Sequence, residues 1–405
     1  MPTIEKERSI VRDLARRVLD IANEDRMVPI IQRWKDVNAL RKPDRAPVWC
    51  RPVGCWPELL PEESLECEDS WLRGLERGFR RVLIKRDIDD DDPIENYFTV
   101  GARFDVEPAN VFGVDVHYTS SNVEGGAWAY DPPLRTESDF DRLQMPRFTY
   151  NAEKTRESLN RMTDLLGDIA PVFLTGGPSL GATLGGSAAN LRGLEQIMVD
   201  MIDDPGLLHR LMAHLRDATL TSMDVVENAE MLTPNNVGPM TASDPIGQGP
   251  TDGNFTFQNC WCSANSQEFD AVSPARWEEF CLDYQRPIFE RCGMVAYGCC
   301  ENLTTKIDAV LSIPNLRVFV CSAWTDLNVV LDRIGTDYCI MWRQKASAVV
   351  YNDESKVKDD LMEGMQRLQG RYYQVVLREL QTLAGNPDRL HVWTRMGKDA
   401  AEKYA

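Results

Sequence analysis

The sequence predicts an α/β protein built as a (β/α)8 TIM barrel with an N-terminal helical extension. Over roughly the last 140 residues, strand starts recur about every 22 residues, each pair joined by one helix, which is the rhythm of a parallel sheet. No dinucleotide-binding fingerprint opens the chain. The reactive residue types (Cys299, Cys300 and Glu301, then Trp324, then Arg343 and Lys345) each follow a strand, and the C-terminal ends of barrel strands are where such a fold presents its chemistry.

The N-terminal segment, residues 1–95, reads as the extension packing on the barrel. Residues 4–38 carry Ile10, Val11, Leu14, Val18 and Ile21 on one helical face. Residues 46–51 read as a first, buried strand, and 69–83 as a helix. The acid run Asp87–Asp92 ends that helix before Pro93 and reads as a solvated loop.

Residues 96–405 read as the barrel. Phe98–Val106 and Val111–Tyr118 alternate like strands. The glycine-rich run at 174–187 has neither P-loop nor GxGxxG spacing, so it reads as a loop between strand 171–174 and helix 188–202. Pro205 opens the next helix, with Leu207, Leu208, Leu211, Met212 and Leu215 as its apolar face. Ser273-Pro274 is an N-cap followed by Pro at the first turn, and Gly293 stops that helix. Strands at 295–297, 317–321 and 338–341 then alternate with helices near 304–312 and 326–334.

Composition narrows the function. Acids outnumber bases 63 to 45, and the net charge is -18, which argues against phosphate backbones and anionic membrane surfaces as partners. No run of 18 apolar residues exists, and MPTIEKERSIVRDL does not read as a secretory signal. The 11 cysteines, an odd number, read as reduced thiols, so the expected location is the cytoplasm.

The sharpest local feature is Gly298-Cys299-Cys300-Glu301. Two thiols and a carboxylate at a strand end are ligand types that suit Zn²⁺. Neighbours on an extended turn point apart, so one cysteine is expected at the site and the other in the core. Both being small buried hydrophobes is the alternative. Glu268, after the strand near Asn259–Cys262, is the second candidate; the alternative for it is a solvated loop carboxylate. The candidate metal set is therefore Cys299, Glu301 and Glu268, with Glu301 and Glu268 also the candidate catalytic carboxylates. His117 is the histidine best placed for a site, and no serine-hydrolase elbow is present. Trp324, Trp261, Tyr297, His117 and Lys345 form the candidate substrate-contacting set, since flat rings suit an apolar aromatic ligand.

The run YGCCENLTTKIDAVLSIPNLRVFVCSAW at 297–324 resembles the uroporphyrinogen decarboxylase-like superfamily. Within it, Gly-Cys-Cys-Glu and Ser-x-Trp resemble the branch of corrinoid-dependent O-demethylase methyltransferases. Weaker matching pieces lie at 46–52, at 174–187 with DDPGLLHRL, at NSQEFDAVSPARWEEF and at 389–393. The resemblance implies a (β/α)8 barrel that moves a methyl group from a small donor, such as a methoxylated aromatic, to cobalamin carried by a separate corrinoid protein. It implies that corrinoid protein as partner, Zn²⁺ as the candidate metal, and is compatible with a homodimer. Thiol-methylating members hold zinc with a His-x-Cys pair and a late cysteine. Here that place reads Tyr297-Gly298-Cys299, and no cysteine follows Cys339, which favours the donor-side enzyme. In ether-cleaving relatives, two carboxylates and an imidazole correspond to Glu268, Asp283 and Thr304, and Thr304 is a poor ligand. The rival readings are a decarboxylase and a non-catalytic partner of a corrinoid protein. The first would need arginines at the rim, and the early Arg12, Arg16 and Arg17 read as surface charges.

Overall fold

In the computed structural model, residues 3–120, 128–176, 180–249 and 253–405 are described. The strands are β1 (Val48–Pro52), β2 (Phe98–Gly101), β3 (Phe104–Glu107), β4 (His117–Ser120), β5 (Trp128–Asp131), β6 (Arg147–Tyr150), β7 (Val172–Thr175), β8 (Trp261–Ala264), β9 (Met294–Tyr297), β10 (Leu316–Cys321), β11 (Cys339–Arg343) and β12 (Tyr372–Leu380). Six of them form one curled, parallel sheet in the order β1-β12-β11-β10-β9-β8, and β2 and β7 form a second parallel pair. Together they reach the strand count of a (β/α)8 barrel. The chain is thus an α/β protein with a half-barrel sheet, and no ladder closes it among the described residues.

The two open edges have a physical cause. On the free edge of β1, the Asp91 carboxylate accepts from Val48 N at 2.8 Å and Asp91 N donates to Val48 O at 2.9 Å. One residue pair on, the Asp90 carboxylate accepts from Cys50 N at 2.8 Å. At the other edge, the Asn235 side chain accepts from Trp261 N and donates to Trp261 O, at 2.7 and 2.9 Å. Side chains thereby satisfy the edge groups that a neighbouring strand would pair.

The acid run is therefore not a solvated loop. Asp90 and Asp91 are buried, and the helix before them runs on to Ile88 with Asp89 as a left-handed cap. A buried carboxylate needs charge partners. Asp91 receives Arg33 at 2.8 Å and Arg45 at 2.6 Å, and Asp90 pairs with buried Lys85.

Other expectations shift at their ends. The N-terminal helical stretch is two helices, Ile4–Ala22 and Met27–Asn38. Residues 111–116 are not strand, with Val111 left-handed at φ 68°. Helix 188–202 is two, Leu184–Arg192 and Leu194–Asp203, parted by Gly193 at φ 87°. Ser273 makes no side-chain cap. Residues 177–179 of the glycine-rich run lie outside the described residues.

The sheet has two apolar faces, as a buried parallel sheet requires. Val48, Val295, Tyr297, Phe319, Ile340 and Val375 pack against the surrounding helices with Trp277, Phe280 and Phe289. Trp49, Trp261, Ala296, Val318, Val320, Met341 and Val376 fill the other, concave face, where Ile30 and Trp34 of the second helix join them. The first strand, within the 1–95 segment, is a member of this main sheet. No described helix is long and apolar enough to cross a membrane.

Candidate functional site

The turn after β9 begins at Gly298, whose φ of 114° suits glycine; a Cβ there would lie 2.9 Å from Val320 Cβ and 3.0 Å from Leu303 Cδ1. This break in the extended backbone overturns the expectation that Cys299 and Cys300 diverge. Their sulfurs lie 3.6 Å apart. Cys300 Sγ donates to Glu379 Oε1 at 3.3 Å. The ligand atoms of Cys299, Cys300 and Glu379 all fall within 4.8 Å of one another, in half-buried positions. Glu379, on β12, holds φ 63°, a conformation that a non-glycine residue adopts at a cost.

Arg343, at the end of β11, is 2% exposed. Its Nη1 donates to Cys299 O at 2.7 Å and to Glu379 Oε1 at 2.9 Å, and lies 3.6 Å from Cys299 Sγ. The two thiols therefore separate in character. The Cys300 S–H and the Arg343 charge bring the Cys299 thiol down to about 5. Hydrogen bonding to Cys299 and burial, together with Glu379, hold Cys300 protonated.

Glu301 sits behind these sulfurs, buried at 2% exposure. Its carboxylate accepts from Ser266 N at 2.8 Å, Ser266 Oγ at 3.3 Å and Cys299 N at 2.9 Å. Its carbonyl accepts from Ser322 Oγ at 2.8 Å. Glu301 thus ties together the turns that follow β8, β9 and β10, and burial raises its affinity for a proton. Glu268 is half-buried, with Oε2 unpartnered among the described residues. Its pKa is also raised, by burial and then by Cys299. A Cβ on Gly185 would lie 2.6 Å from that oxygen, so this glycine of the glycine-rich run leaves room for the carboxylate.

The structure brings Cys299 together with Cys300 and Glu379, rather than with Glu301 and Glu268, as a ligand group. The set fits zinc: a tetrahedral site with such donors spaces its ligand atoms about 3.5–3.8 Å apart, close to the 3.6 and 3.3 Å seen. Three protein ligands leave one position for a reactant.

The aromatic candidates separate. Trp324 is 57% exposed, and the exposed Lys345 lies over its ring at 4.7 Å, so these two meet at the ends of β10 and β11. Trp261 is buried in the concave core and donates to Ser243 Oγ at 3.1 Å. Tyr297 is fully buried on the helix-facing side, donating to Gln285 Oε1 at 2.9 Å. His117 is exposed at the start of β4, which pairs antiparallel with β5 outside the parallel sheets.

No protein-family model matches the sequence, and no curated protein matches it. Among solved structures, the chain is similar to a methyltransferase from Methanosarcina mazei. The two are 10% identical, with a TM-score of 0.51, over 91% of this chain and 98% of that one. They share a fold.

Sequence reasoning missed Glu379, Arg378 and Arg51. Arg378 and Glu379 sit in a β12 segment, VVLREL, whose charged pair interrupts an apolar run, and that interruption was the available signal. Arg51 is the charged residue near the end of the first strand, in Cys50-Arg51-Pro52. Arg12 and Arg16, by contrast, are surface residues paired with Asp168 and Asp13.

Proposed function

We propose that the protein is a corrinoid-dependent methyltransferase of the O-demethylase type. It would take a methyl group from a small donor, such as a methoxylated aromatic, and hand it to the cob(I)alamin of a separate corrinoid protein. The observation that carries this reading is the Cys299–Cys300–Glu379 cluster at the C-terminal ends of β9 and β12, where a barrel enzyme works. The fold shared with a methyltransferase and the resemblance of residues 297–324 support it.

Breaking a methyl–oxygen bond leaves an alkoxide or phenoxide, a poor leaving group near neutral pH. Zinc held by Cys299, Cys300 and Glu379 would supply a Lewis acid for that oxygen. The protein's own groups set the stage. Arg343 fixes the Cys299 carbonyl and favours its thiolate. Glu301 pins the turn carrying both thiols. Glu268, kept prone to protonation by burial, can give a proton to a departing oxygen. Trp324, paired with Lys345, offers an exposed ring to an aromatic donor.

A panel of methyl ethers, assayed anaerobically with a reduced corrinoid protein, tests this. Appearance of methylcobalamin absorbance with at least one donor is expected. Coproporphyrinogen formation from uroporphyrinogen without methyl transfer would establish the decarboxylase instead, a rival to which the arginines near the cluster lend weight. Binding of corrinoid protein without turnover of any donor would leave a non-catalytic partner.

A further inference from the structure

Three arginines gather where β1, β11 and β12 end. Register places them: Trp49 pairs with Val376 and Arg343 with Val376. Partners across a parallel ladder face the same way, and residues two apart share a face. Trp49, Met341 and Val376 lie together in the concave core. Arg343 is level with Val376, while Arg51 and Arg378 stand two residues beyond Trp49 and Val376, nearer the C-terminal ends, with Arg51 at the register irregularity between Cys50 and Pro52.

Their bonding is incomplete. In a chain of net charge -18, with most of its described arginines in ion pairs, Arg51 and Arg378 make neither an ion pair nor a hydrogen bond among the described residues. Buried Nε atoms of Arg343 and Arg378 have no partner among the described residues, and the Arg343 side chain is 2% exposed. Burial lowers the Arg378 pKa, and the neighbouring charges of Arg343 and Arg51 lower it further. Arg343 is buried, Arg378 half-buried and Arg51 exposed at the rim, and like charges gathered at the buried end of this group repel unless an anion offsets them. The neighbouring Cys299 and Glu379 are already engaged by Arg343 and Cys300.

We propose that Arg51 and Arg378, backed by Arg343, bind a carboxylate group on the small-molecule ligand. A planar guanidinium fork matches a carboxylate with two parallel hydrogen bonds. The group adjoins the thiol cluster through Arg343, so the carboxylate would orient the other end of the ligand toward Cys299 and Glu379. The donor class is therefore a methylated small carboxylic acid, an assignment that rests on the methyl-donor reading above.

Calorimetry with 4-methoxybenzoate and 4-methoxybenzyl alcohol, and with benzoate and benzamide, tests it on the whole protein. The carboxylates should bind wild type tighter than their neutral partners by roughly 10- to 100-fold, as a charge-assisted pair implies. That preference should collapse in Arg378→Gln and in Arg51→Gln and partly survive in Arg378→Lys, with circular dichroism showing each variant folded. The inference is overturned if charged and neutral ligands bind alike, if none binds, or if inorganic phosphate binds more tightly than benzoate. Carboxylate preference without methyl transfer would keep this inference and remove the methyltransferase reading. Methyl transfer from charged and neutral donors alike would do the reverse.

Discussion

A single nitrogen of Arg343, Nη1, touches Cys299 twice: 2.7 Å from its carbonyl oxygen and 3.6 Å from its sulfur. The cation lies on the Cys299 side of the thiol pair, and the Glu379 carboxylate contacts the other sulfur at 3.3 Å. This asymmetry makes Cys299 the thiolate and keeps Cys300 protonated. In metal-free protein, Cys299 should be alkylated by iodoacetamide with a rate that rises through about pH 5, since only the thiolate reacts. Replacing Arg343 by Met removes the positive charge, raises the thiol pKa and slows labelling near pH 6. Peptide mapping that finds Cys300 labelled first contradicts the assignment.

Glu379 and Glu301 should respond differently to the same change. Glu379→Gln removes a zinc ligand, so zinc bound by wild type should be lost on metal analysis. Glu301→Gln keeps the three ligands but spoils a buried acceptor of two backbone N–H groups. The expected result is retained zinc and a stability loss of about 1–3 kcal/mol in urea. Loss of zinc in Glu301→Gln with none in Glu379→Gln would return the metal to the other carboxylate.

Trp324 is exposed enough for truncation to leave the core intact. Trp324→Ala should raise KM for an aromatic donor several-fold at an unchanged unfolding midpoint. A shifted midpoint with normal KM would mean that the ring serves packing alone.

Asp91 should matter for stability rather than chemistry. It is 0% exposed and bonded to Arg33, Arg45 and Val48 N. Asp91→Asn leaves two buried guanidinium groups short of charge, a change that costs roughly 3–5 kcal/mol in comparable buried pairs. An unfolding midpoint equal to wild type would show that the edge of β1 does not depend on it.

The last third of the fold was legible because its signals are local. Strands β9, β10 and β11 are short apolar runs, each followed within a few residues by polar turn residues, and their ends fall within two residues of the expected ones. The acid run misled because its partners are distant: Arg33 and Arg45 lie 58 and 46 residues from Asp91, a separation no window of sequence displays. The same holds at the site. Cys299 and Cys300 could be named from their motif. Glu379, 79 residues from Cys300, is brought in by the parallel register of β11 and β12. Tyr297, named as a substrate contact, lies fully buried on the helix-facing side of β9 and bonds to Gln285; which face of a short apolar strand turns to the helices is set by distant packing and not by the local run.

The most direct measurement is single-turnover methyl transfer to a cob(I)alamin-loaded corrinoid protein, with wild type, Cys299→Ser and Glu379→Gln compared on the best methyl ether donor. Methylcobalamin should form with wild type and slow by roughly 100-fold or more in both variants, the scale of a lost Lewis acid. Equal rates in all three proteins, or no methylcobalamin from wild type with any donor, would contradict the placement of methyl-transfer chemistry at the Cys299–Cys300–Glu379 cluster.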